Sequence, residues 1–125
     1  MLLRYAMAVM FLFAGCALAH HAEGGFDRTR VISVTGTVKQ FLWANPHAQI
    51  YLEVTDSNGS TDVDVFYGGS VIVMRRSGWS QGSLKVGDKL TIDFYPRRDH
   101  KRGGMWITVT KTNGEKLVWP QPAKP

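Results

Sequence analysis

The sequence predicts an all-β domain with a small α contribution: an OB-like five-stranded β-barrel with one short helix after strand three. Three observations carry this. Several short runs are rich in β-branched and aromatic residues, and most alternate in polarity. The first run is long and carries a glycine, Gly36, in its middle. The one segment with helix signals falls between the third and fourth runs. Three strands, a helix and two further strands is the element order of an OB-type barrel.

Each element has a local reason. Residues 31–43 read as a long, curled first strand, with a bulge or sharp bend expected at Gly36. Ala44-Asn45-Pro46 breaks it, because proline has no amide hydrogen and drives Asn45 out of the helical region. Residues 48–55 form the second strand, with Ile50, Leu52 and Val54 on one face. Asp56-Ser57-Asn58-Gly59 is a hairpin turn, since Asn-Gly reaches positive φ at little cost. In the third strand Val63, Val65 and Tyr67 alternate with Asp62, Asp64 and Phe66.

Gly68-Gly69 ends that strand, and Ser70 is a suitable N-cap for a helix over 71–77. Gly78 stops the helix. Its β-branched residues are weak helix formers, so packing must help. A turn at 84–88 leads to strand four, 89–95, with Leu90, Ile92 and Phe94 on one face. Residues 96–104 read as a charged loop. Strand five covers 105–111, and Asn113-Gly114 turns into a short last strand at 116–119.

The barrel domain is therefore 31–119. Residues 1–19 read as a secretory signal peptide: Arg4 supplies the positive start, 5–15 are almost wholly apolar, and Ala17-Leu18-Ala19 is a small-x-small cleavage site. The apolar stretch is too short to span a membrane, and no second one follows, so no transmembrane segment is expected in the mature chain. A lipoprotein anchored at Cys16 is the competing reading of the leader, through Phe13-Ala14-Gly15-Cys16. Residues 20–30 form a polar N-terminal arm. Residues 120–125 form a proline-rich tail, expected to be disordered. The expected location is periplasmic or secreted.

Composition narrows the function classes. Cys16 is the single cysteine, so cleavage after Ala19 removes every disulfide and thiolate metal site. The whole chain carries a formal charge of +5, with basic pairs at Arg75-Arg76, Arg97-Arg98 and Lys101-Arg102. In an exported protein this excludes nucleic acid as the expected partner. A solvated basic face, an acidic protein and anionic headgroups remain open. No nucleophile-base pair, no recognisable carboxylate pair and no phosphate-binding glycine loop is present. A non-enzymatic binding protein is the expectation.

The candidate sites are few. Cleavage after Ala19 makes His20 the first residue, whose α-amine and Nδ1 together chelate Cu(II). A further imidazole, His47 or the alternate His21, completes a three-nitrogen set of the tetragonal kind copper(II) favours. This arrangement resembles the histidine brace of copper proteins. A copper(I) version would use His47 with Met74 or Met105. With the N-terminal arm, the turn places Trp43, Asn45 and Pro46 at the barrel end as candidate ligand- or partner-binding residues, whereas the bland reading gives Asn45, Pro46 and His47 to turn chemistry alone, with Trp43 as a barrel-end aromatic. A second class of site is an envelope protein-interaction patch of Arg75, Arg76 and Trp79, without metal, since Arg and Trp are common interface anchors; the bland alternative is that Trp79, following the helix-ending Gly78, is a packing lid.

Several motifs together resemble a known family. They are Ala19-His20-His21, Phe26-Asp27, Val34-Thr35-Gly36-Thr37-Val38, Trp43-x-Asn45-Pro46-His47, Met74-x-Arg76-x-Gly78-Trp79, Leu84-Lys85-x-Gly87-Asp88 and Pro96-x-Arg98-Asp99. The chain is similar in these to the domain-of-unknown-function family DUF6152, small exported bacterial proteins. The resemblance implies an envelope location and one compact β-barrel, and no established reaction. The chain departs from the family pattern in its third strand, where Asp64, Phe66-Tyr67 and Ser70-Val71 stand at positions that read Trp-x-Val-Glu and Ser-Pro in the family. It departs again at Ala22, usually Ser.

Overall fold

The computed structural model describes residues 24–119. The predicted leader, His20, His21 and the tail lie outside them. Six strands and one helix follow in order: β1 Ile32–Leu42, β2 Gln49–Thr55, β3 Thr61–Tyr67, α1 Val71–Arg76, β4 Lys89–Pro96, β5 Gly103–Lys111 and β6 Lys116–Val118. β1 pairs antiparallel with both β2 and β4, and β4 with β5. β3 pairs antiparallel with β2 and parallel with β5. That last pairing closes a five-stranded barrel with OB connectivity. β6 adds a short hairpin arm to β5.

β1 can serve two neighbours because it changes partner midway. Residues 32–37 lie against β4 and residues 37–42 against β2. Gly36 stands at this change, where a Cβ would collide with the Glu53 carbonyl and the Leu52 side chain. The barrel bend is thus where the glycine predicts it. The register shift is not: it falls between Val38 and Gln40. Gly36 allows close approach, and the extra residue is placed after the bend.

The loop predicted over 96–104 is shorter than expected. β5 begins at Gly103, because Val65–Tyr67 of β3 needs Gly103–Met105 as its parallel partner. Gly103 has φ +90, and a Cβ there would strike the Val65 backbone. The pair Gly103-Gly104 is the closing seam of the barrel, not a turn.

The core lies inside the barrel and under α1. Ile50, Leu52 and Val54 share the buried face of β2, and Leu90, Ile92 and Phe94 that of β4. β3 turns its even-numbered face inward, so Phe66 is fully buried and edge-packed on Phe94, with ring centroids 4.9 Å apart. Asp64 is carried inward with it and is only 6 % exposed. Arg102 answers it, with Nε donating to Asp64 Oδ1 and Nη1 reaching Asp62 at 3.5 Å. The same contact raises the Arg102 pKa.

α1 is held by caps rather than propensity. Ser70 Oγ accepts the Val73 N–H, and Gly78 takes φ +89. The Trp79 N–H bonds the Met74 carbonyl and the Gly78 N–H the Arg75 carbonyl, a Schellman ending. This ending reverses the chain and sends Trp79 into the core beside Met74.

Candidate functional site

The turn between β1 and β2 is tied to the segment that follows β3. The Asn45–Pro46 peptide is cis. Asn45 Oδ1 accepts the Val71 N–H at 3.0 Å, satisfying an orphan amide at the start of α1. The Ala48 N–H donates to the Gly69 carbonyl and the Gly68 N–H to the Ala48 carbonyl, both at 2.8 Å. Asn45 therefore serves the fold, and it does so by joining a distant segment rather than by capping its own turn. Trp43 is half-buried and packs on Phe41, with centroids 5.8 Å apart.

His47 is exposed, yet its ring is fixed. Nδ1 lies 3.1 Å from the Gly68 carbonyl. A carbonyl only accepts, so Nδ1 carries the hydrogen, and in the neutral ring Nε2 keeps its lone pair. A backbone carbonyl on one ring nitrogen is the usual support of a metal-ligating histidine. Among the described residues no three His, Cys, Asp or Glu side chains gather into a metal site. Of the three predicted copper(II) histidines they include His47 alone. His20 and His21 lie outside the described residues.

The arm meets the barrel at the end of β3 and the segment after β4. Phe26 bridges to Arg97, and its ring lies 6.1 Å from that of Tyr67, the residue before Gly68. The Asp27 N–H donates to the Pro96 carbonyl. The Arg97 guanidinium sits 5.7 Å over the Tyr67 ring and pairs with Asp99 at 2.7 Å. That pairing holds the Asp99 carboxyl well below the usual range and raises Arg97. Arg98 Nε donates to the Phe26 carbonyl. The basic run at 97–102 is thus largely engaged within the molecule, and of its four cations Lys101 has no side-chain partner among the described residues.

The second predicted patch is rearranged. Arg75 and Arg76 are exposed at the end of α1, without ion pairs among the described residues. Trp79 is not with them. It is 2 % exposed, packed on Trp106 and Phe41, and its indole N–H donates to the Val118 carbonyl. The Schellman reversal, not solubility, decides where it goes. The apolar surface beside the arginines comes instead from Ile72 and Val73, 59 % and 44 % exposed. Met74 is fully buried and Met105 nearly so, which makes both core fillers.

Sequence reasoning missed Asp64–Arg102 and Arg97–Tyr67, whose members lie 38 and 30 residues apart. The only sequence signal was the odd polarity of β3, an aspartate on the same face as Phe66.

A family model described as a family of unknown function, DUF6152, matches residues 9–111. The chain belongs to that family. Searches of curated proteins and of solved structures returned no match.

Proposed function

We propose that this DUF6152 barrel is an exported, non-enzymatic copper-binding protein of the periplasm. One observation carries the reading: the His47 ring is oriented through Nδ1 on Gly68, which presents Nε2 as a ligand. The remaining nitrogens are the α-amine and Nδ1 of His20 after cleavage at Ala19, with His21 as the alternate. The docking of Phe26 against Tyr67 supports this. Phe26 stands six positions after His20, and six extended steps reach about 20 Å. Two nitrogens from the terminus and one from His47 make a tetragonal set suited to Cu(II).

Intact mass of periplasmic protein, with Cu(II) titrated into the same sample, tests it. The expected result is a chain starting at His20 with one tight copper that His47→Ala abolishes. A chain starting at acylated Cys16, or copper uptake unchanged in His47→Ala, overturns it.

A second reading is favoured by the exposed Ile72 and Val73 beside the unpaired Arg75 and Arg76. This is an envelope protein-interaction surface without metal. Ile72→Ser with Arg76→Ala should abolish partner capture and leave copper uptake intact.

A further inference from the structure

A cleft of about 290 Å³ opens where the loop between α1 and β4 meets the β5–β6 turn. Its lining includes Ser83, Lys85, Asp88, Lys89, Lys111 and Asn113. Three of these are lysines and one is acidic.

The polar groups of this cleft are sorted by type. Ser83 Oγ accepts the Ser80 N–H at 2.8 Å. Asp88 Oδ2 accepts the Lys85 N–H at 2.9 Å. Asn113 Oδ1 accepts the Glu115 N–H at 2.9 Å. In each case a backbone amide occupies the side-chain oxygen. Beside one accepted bond each, Ser83 keeps its hydroxyl hydrogen and Asn113 its amide NH₂, both donors. Lys85 and Lys89 form no ion pair among the described residues, whereas Lys111 sits 3.3 Å from the half-exposed Glu115. A single pair with one half-exposed partner is weak and exchanges readily.

A cleft with three lysines, two neutral donors and a single carboxylate, one oxygen of which already accepts a backbone amide, selects an anion. We propose that it binds a small multivalent oxyanion, of the phosphate or polycarboxylate class. Lys85 and Lys89 supply the charge, and Ser83 and Asn113 supply neutral donors. Lys111 turns from Glu115 to the ligand. The ligand must carry several charges, because salt screens single charges in an open site. It must be small, because the volume is at the lower limit of small-molecule sites. The unused oxygen of Asp88 repels anions and confines the ligand to the lysine side.

The test titrates pyrophosphate, citrate and phosphatidic acid vesicles, whose headgroup is a multivalent phosphomonoester, separately, into the full-length protein and into Lys85→Gln/Lys89→Gln. Backbone amide NMR shifts and vesicle sedimentation are the readouts. Shifts confined to 82–89 and 111–115, with affinity weakened at least about tenfold in the double variant, support the proposal. Saturable binding of free anions alone assigns a soluble ligand. Vesicle binding alone, lost in the double variant, assigns the same chemistry to a lipid headgroup. No saturable binding of any probe overturns the proposal. So do shifts spread equally over Arg75 and Arg98 that the double variant leaves unchanged.

Discussion

At the turn before β2, asparagine and histidine side chains reach across the molecule. Asn45 bonds Val71, 26 residues away, and His47 bonds Gly68, 21 residues away. In the lysine-lined cleft the corresponding bonds span two or three residues: Ser83 to Ser80, Asp88 to Lys85, Asn113 to Glu115. The first region uses polar side chains to join distant segments, so little remains free beyond His47 Nε2. The second uses them only to shape its own turns, and its charged groups stay available. Damage to the turn's joining bonds, those of Asn45, should read out as lost stability, and damage to His47 itself also as lost copper. Damage to the second should read out as lost binding.

The same substitution in each region gives the largest contrast. Gly68→Ala would drive a methyl into the Trp106 ring and displace the carbonyl that holds His47. It should cost about 3 kcal/mol, the upper end for overpacking a core. Gly82→Ala in the cleft meets nothing nearer than Ser80 Oγ at 3.9 Å. It should change stability by less than about 0.5 kcal/mol. Urea denaturation of both variants measures the difference, and equal losses would break the distinction.

Asparagine sharpens it at smaller magnitude. Asn45→Ala leaves the Val71 amide without its acceptor at the start of α1. A loss of about 1 kcal/mol is expected, as for a removed helix cap. Asn113→Ala removes only a local turn bond and should fall below that, while weakening pyrophosphate binding.

The 97–99 pair is an intermediate case, local in sequence yet stacked on Tyr67. Arg97 holds the Asp99 carboxyl below its ordinary value. A carboxyl depressed in the folded state adds stability above its unfolded pKa, and that stability disappears as pH falls toward the folded value. The ordinary aspartate value is about 3.9. Wild type should therefore lose stability on going from neutral pH to below about pH 4, and Asp99→Asn should lose less. Asp99 is exposed, so this is the smallest effect of the set. Thermal melts at a series of pH values would detect it, and parallel curves would refute it.

How much of this was legible in the sequence depended on distance along the chain. Hairpin turns, the Ser70 cap, the Gly78 stop and the buried faces of β2 and β4 follow from neighbours, and each stands where its local chemistry puts it. The turn at 43–47 was legible as a turn, but Val71 and Gly68 as its partners were not. Trp79 reads two ways in the sequence, as a packing lid or as an interface anchor, and the reversal at the packed helix end makes it the former. Gly68-Gly69 and Gly103-Gly104 look alike in sequence. The first pair makes room for the Trp106 and Trp119 rings, and the second lets two strands approach. An absent side chain says that space is needed and not what fills it. The cleft combines 82–89 with 111–113, and no spacing rule joins isolated lysines across that gap.

The parallel seam between Val65–Tyr67 and Gly103–Met105 also sets a timetable. Until the segment beginning at Gly103 has left the ribosome, β3 has one naked edge and β4 another. Unpaired edges recruit other chains. A nascent chain stopped short of this segment is an adhesive intermediate rather than a smaller working domain. Folding is thereby deferred until synthesis has passed the seam, and that interval is when a chaperone would have most to do.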